Sequence, residues 1–111
     1  MPPREWRLRV EDILDAIARI DRYITGLNSE QFKADQKTVD AVVRNLEIIG
    51  EAVRHLAAED KNLPAGIPWT DIGGMRNILV HEYFGVDLNI IWETVTTDLP
   101  LFRAELHRMF L

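Results

Sequence analysis

Apolar residues in the first part of the chain recur at the spacing of one helix face: Val10, Ile13, Ile17, Ile20, Ile24 and Leu27. Glu11, Asp12, Asp15, Arg19 and Arg22 fall on other faces, so the pattern predicts a first helix from about Arg9 to Leu27, with Asn28 and Ser29 as punctuation. After a short turn around Phe32 a second stripe begins, carried by Val39, Val42, Leu46, Ile49, Val53 and Leu56. Asp40, Arg44, Glu47, Glu51 and Arg54 form the polar side of this second helix. It should run from about Asp35 to Glu59, a length of roughly 37 Å that calls for a bundle to contain it. Pro64, Gly66 and Pro68 then break the pattern. Thr70 or Asp71 can cap a third, shorter helix that reaches about Tyr83 and is ended by Gly85. Asp87 can cap a fourth, whose apolar positions are Leu88, Ile91, Trp92, Val95, Leu99, Phe102, Leu106 and Phe110. Pro100 removes a backbone donor inside that helix, which predicts a kink or break. No segment alternates with the period of a strand. The expected fold is an all-α, antiparallel four-helix bundle with a kinked last helix, one domain over residues 1–111.

Composition supports that reading and narrows the function. At 111 residues, 47% hydrophobic and 28% charged, the chain resembles an ordinary globular domain and has room for a modest core. Thirteen basic against eighteen acidic side chains leave a net charge of −5, which argues against charge-driven binding to long nucleic acid but leaves room for a small RNA-cleaving site. There is no cysteine, so disulfides, thiolate nucleophiles, zinc ribbons and iron–sulfur clusters are excluded. The longest uncharged stretch, Asn62 to Thr70, is too short for a bilayer span. Acidic residues after Arg9 also interrupt any leader-like apolar run. A cytoplasmic protein is expected.

The candidate chemistry lies in the third helix. His55, His81 and His107 are too far apart in sequence to form a one-turn metal pair, and no Glu-x-x-His motif occurs, so neither a metal nor a bound cofactor is expected. Gly73-Gly74 is followed by no P-loop lysine. Within a helix these glycines cost about 1 kcal/mol each relative to alanine, which close helix approach or a ligand would have to offset. Asn77 and His81 share a helix face. Arg76 and His81 start about 140° apart, so either the long arginine swings round or two copies of the helix pack about a two-fold axis to build one cleft. Imidazole can move protons to and from RNA oxygens near neutral pH, while guanidinium can hold a phosphate and its developing charge. The structural alternative for the same pair is a capping role near a helix end. Asn45 is an anomaly, because it lies about 40° from Ile49 on the apolar side of its helix. It could bridge to the third helix or orient a catalytic side chain, since a buried amide needs partners.

The string Arg76-Asn77-Ile78-Leu79-Val80-His81-Glu82-Tyr83 resembles the Arg-x4-His-x-Tyr motif of the HepT-like branch of the HEPN domain superfamily. Arg44-Asn45-Leu46-Glu47-Ile48-Ile49-Gly50-Glu51-Ala52 is similar to a second landmark of that family. The resemblance implies a dimeric helical ribonuclease that acts as the toxin of a type VII toxin–antitoxin pair. Its partner would be a minimal, MntA-like nucleotidyltransferase antitoxin that transfers AMP from ATP to the tyrosine. Carried onto this chain, Arg76 and His81 would be the RNase pair, Asn77 and Asn45 supporting residues, and Tyr83 the AMPylated one. A competing reading is a non-catalytic helical adaptor that dimerises and partners such a nucleotidyltransferase.

Overall fold

A computed structural model describes residues 4–59, 72 and 87–110, and every regular element among them is helical. The fold class is the expected one, all-α. The first helix, α1, spans Arg4–Ile24 and starts earlier than the stripe suggested. The reason is Trp6, one turn before Val10, which extends the buried face at 8% exposure. Val10, Ile13, Ala16, Ile17 and Ile20 follow it into the core, none more than 2% exposed. The helix also ends before Leu27, because Gly26 takes the left-handed conformation at φ +84° and turns the chain out.

The expected turn around Phe32 is a short helix, α2, over Ser29–Ala34. Asn28 is more than punctuation. Its Oδ1 accepts the Gln31 amide at 2.8 Å, and Gln31 Oε1 accepts the Asn28 amide at 3.0 Å, so two otherwise orphaned donors are satisfied reciprocally. This fixes Phe32 pointing inward, fully buried, with its ring 5.2 Å from that of Trp92. Asp35 closes α2 and opens the next helix. Its amide donates to the Phe32 carbonyl, while its carboxylate accepts the Thr38 hydroxyl at 2.7 Å and the Thr38 amide at 3.2 Å.

Helix α3, Gln36–Glu59, buries Val39, Val42, Leu46, Ile49, Val53 and Leu56 as its pattern predicts. Val43 and Ala52 on either flank are also buried, which makes α3 the central helix. It packs along α1, while α2 lies against α3. The third expected helix lies outside the described residues except for Ile72, which is helical and packs partly buried against the core.

The C-terminal run starts with α4, Leu88–Glu93, where Asp87 Oδ1 accepts the Asn89 amide at 2.8 Å. It continues through a π turn, Thr94–Asp98, into α5, Leu99–Phe110. The α-helical ladder is thus interrupted just before Pro100, as expected, although the chain stays helical through it. The Leu99 amide reaches back five residues to the Thr94 carbonyl, a wide turn that shifts the hydrogen-bond register just where proline has no N–H to offer. Ile91, Val95, Leu99, Phe102 and Leu106 stay on the buried side throughout. α5 packs on α1, where Arg103 Nη1 meets Asp21 Oδ2 at 2.7 Å, and Lys33 Nζ donates to Asn89 Oδ1 at 2.8 Å between α2 and α4. No helix among the described residues is long and apolar enough to cross a membrane.

Truncating Phe32 to alanine should cost about 3–5 kcal/mol of stability, read from the midpoint of urea unfolding. A second expectation concerns acid. The Thr38 hydroxyl, then the Thr38 amide, hold the Asp35 carboxyl below its ordinary value. Its stabilising effect is therefore complete above the usual carboxylate range, near pH 4, and disappears as pH falls through the lowered native value. The gap in melting temperature between the parent and Asp35→Asn should be widest at neutral pH and close in strong acid; a gap that does not vary with pH would contradict the assignment.

Candidate functional site

The apolar seam between α1 and α3 contains one buried polar side chain among the described residues, Asn45, at 5% exposure. Its Oδ1 accepts Nε of Arg19 across the seam at 2.9 Å, and its Nδ2 donates to the Ala41 carbonyl one turn back at 2.9 Å. Both ends of the amide are thus satisfied, which is what makes its burial tolerable. Asn45 thus bridges α3 to α1; the third helix, toward which the sequence suggested a bridge, lies outside the described residues.

Arg19 is the residue that the pattern missed. It is only partly exposed, although it lies off the apolar stripe. The signal was Ala16, one turn earlier on the same flank. This small apolar residue is fully buried, so the flank of α1 that carries Arg19 does not face solvent alone. With Nε committed to Asn45, the four N–H donors of the two Nη groups have no hydrogen-bond partner and Arg19 makes no ion pair among the described residues. Asp15, one turn back on α1, is exposed and outside ion-pair distance.

Arg76, Asn77, His81 and Tyr83 lie outside the described residues. The other two histidines do not gather into a centre. His55 Nε2 lies 3.2 Å from Glu51 Oε1, both residues half-buried on α3, and His107 is exposed in the last turn of α5. No group of three or more His, Cys, Asp or Glu side chains among the described residues could hold a metal ion. Trp92 and Phe102 serve the core: Trp92 packs on Phe32, and Phe102 is 7% exposed.

A family model described as ribonuclease HepT-like matches residues 13–109. The chain is 40% identical over 100 residues to the probable ribonuclease HepT of Thermococcus cleftensis, covering 90% of this chain and 91% of that one. It is 43% identical over 91 residues to a candidate RNase of Caldanaerobacter subterraneus, covering 82% and 81% of the two chains. A candidate RNase of Methanocaldococcus jannaschii is 34% identical over 109 residues, covering 98% and 90%. No solved structure matches.

Replacing Asn45 with alanine should cost about 1–3 kcal/mol, because a partly buried guanidinium then loses the acceptor that satisfies it. Chemical denaturation measures this directly, and a loss near zero would mean that the bridge adds nothing to the seam.

Proposed function

The chain belongs to the HepT-like ribonuclease family, and from that premise we propose that it cleaves RNA at a site built on Arg76 and His81. The observation that carries this reading is the extent of the family match: residues 13–109 include the whole Arg76-to-Tyr83 motif, not just the helical scaffold. His81 would take the proton from a ribose 2′-hydroxyl as that oxygen bonds to phosphorus, or return a proton to the departing 5′-oxygen as its bond to phosphorus breaks. Arg76 would pair with the non-bridging oxygens and offset the charge that accumulates on them. The products would be a 2′,3′-cyclic phosphate, or its hydrolysed 3′-phosphate, and a 5′-hydroxyl. None of these steps calls for a metal. Asn77 would support the pair from the same helix face as His81.

In the same reading the protein is the toxin of a toxin–antitoxin pair and works as a homodimer. Third helices meeting at a two-fold axis would place each Arg76 near the partner copy's motif, and Gly73-Gly74 would permit their close approach. A nucleotidyltransferase antitoxin would silence the site: the Tyr83 hydroxyl attacks the α-phosphorus of ATP, pyrophosphate leaves, and AMP stays on the phenol. The added phosphodiester is an anion that competes with RNA for Arg76.

Purified protein should cut RNA at an undiminished rate in EDTA, and His81→Ala should lower that rate by about 10²-fold or more. Co-expression with the nucleotidyltransferase should add AMP mass to the parent and none to Tyr83→Phe. Activity that vanishes with chelator and returns with magnesium would remove Arg76 and His81 from their roles, and AMP on the Tyr83→Phe variant would remove Tyr83.

A further inference from the structure

We infer that Arg19, held by the buried Asn45, is a phosphate-binding residue that grips the RNA backbone. This rests on the ribonuclease reading above but not on its catalytic residues. The first argument is cost. An amide at 5% exposure in an otherwise apolar seam is a poor choice for stability alone, since an apolar side chain of similar volume would need no partners. What the amide does accomplish is to fix a guanidinium by its Nε, at 2.9 Å, while its own Nδ2 is anchored on the Ala41 carbonyl.

The second argument is charge. In a chain with five more acidic than basic side chains, Arg19 is partly buried yet has no carboxylate within ion-pair distance among the described residues. Arg7, Arg9, Arg22 and Arg44 also make no ion pair among the described residues, but none of them is held there by a buried side chain as Arg19 is by Asn45. A partly desolvated cation without a counter-ion is left in want of an anion. The third argument is geometry. Bonding at Nε fixes the plane of the fork and leaves both Nη groups for an anion, the arrangement that suits a phosphate better than a lysine ammonium would. Because the fork is already immobilised, little side-chain entropy remains to be lost when a phosphate arrives.

The test uses the full-length protein and a short, fluorescein-labelled 2′-O-methyl oligonucleotide, which presents the RNA backbone but lacks the hydroxyl needed for cleavage. Arg19→Gln should bind about tenfold more weakly at low salt, the loss of one charge-assisted contact. The slope of log K against log salt should fall by about 0.7, the share of one phosphate contact on a single strand. Arg19→Lys should restore the slope without restoring the full affinity. As a probe independent of RNA, titration with inorganic phosphate should shift the Arg19 Nε–Hε NMR resonance, identified by its absence in Arg19→Lys, and melting curves confirm that each variant is folded. Unchanged affinity and slope in a folded Arg19→Gln protein, or an Nε resonance indifferent to phosphate, overturns the inference. If phosphate shifts the resonance but the parent does not bind the oligonucleotide, the anion site stands and the RNA reading fails.

Discussion

The burial of the α1 stripe against α3 is the constraint on which the rest of the structure depends. Neither helix is stable alone in water at about twenty residues without a partner for its apolar face. Each supplies the other's, through Ile13, Ile17 and Ile20 on one side and Leu46, Ile49 and Val53 on the other, all essentially inaccessible. Once these two axes are set, the remaining elements have little freedom. The link between the two helices must reverse direction within eleven residues, from Thr25 to Asp35, and it does so by a left-handed glycine, a capping box and a shared aspartate. α2 is brought back under α3 with Phe32 facing inward, and Phe32 then provides the surface on which Trp92 and the C-terminal run settle.

The same seam explains how a polar pair can exist inside the bundle. An amide that bridges two helices is worth little if either helix can slide, because a hydrogen bond weakens steeply as its geometry departs from the optimum. Apolar packing on α1 and α3 around Arg19 and Asn45 fixes both backbones, so the 2.9 Å contact between them follows from the core more than it holds the core together. Compared with an apolar pair of the same volume the gain in stability is therefore small, although removing one partner alone is costly, while geometrically the pair turns a flexible side chain into an oriented one. Stability and a binding function are supplied by different atoms of one interface.

How much of this was legible beforehand follows the physics of each feature. Long amphipathic helices advertise themselves by period, and the centres of the stripes of α1, α3 and the C-terminal run are buried as expected, while Ile24, Leu27, Leu88 and Trp92 at their margins are only partly so. Boundaries depend on single residues whose conformation the period does not encode. Gly26 ends α1 by backbone conformation alone, and the Asn28 and Gln31 box makes a helix out of six residues too few to show any period. Pro100 was read as a kink or break because local rules count one lost donor. They do not anticipate that a π turn can absorb the loss while Val95 and Leu99 both remain buried. Arg19 was passed over for a related reason: it lies off the apolar stripe, and only Asn45 across the seam shows that it is held there. The motif at Arg76 to Tyr83 was read through its resemblance to the family's pattern of residue types, and it lies outside the described residues.

The acidic balance of the chain then bears on how such a site would work. At physiological ionic strength charges are screened beyond about 8 Å, so a net charge of −5 spread over the surface weakens long-range attraction to RNA without cancelling a guanidinium in direct contact with a phosphate. Binding would then depend on a few close, pre-oriented cations and would have a shallow salt dependence. That economy makes the proposed switch effective. Where many lysines share the load, one added phosphodiester changes little; where one or two arginines carry it, a single AMP beside them offsets much of the local positive charge. An acidic scaffold with sparse, fixed cations is therefore easier to silence by one covalent modification than a basic one of equal affinity would be.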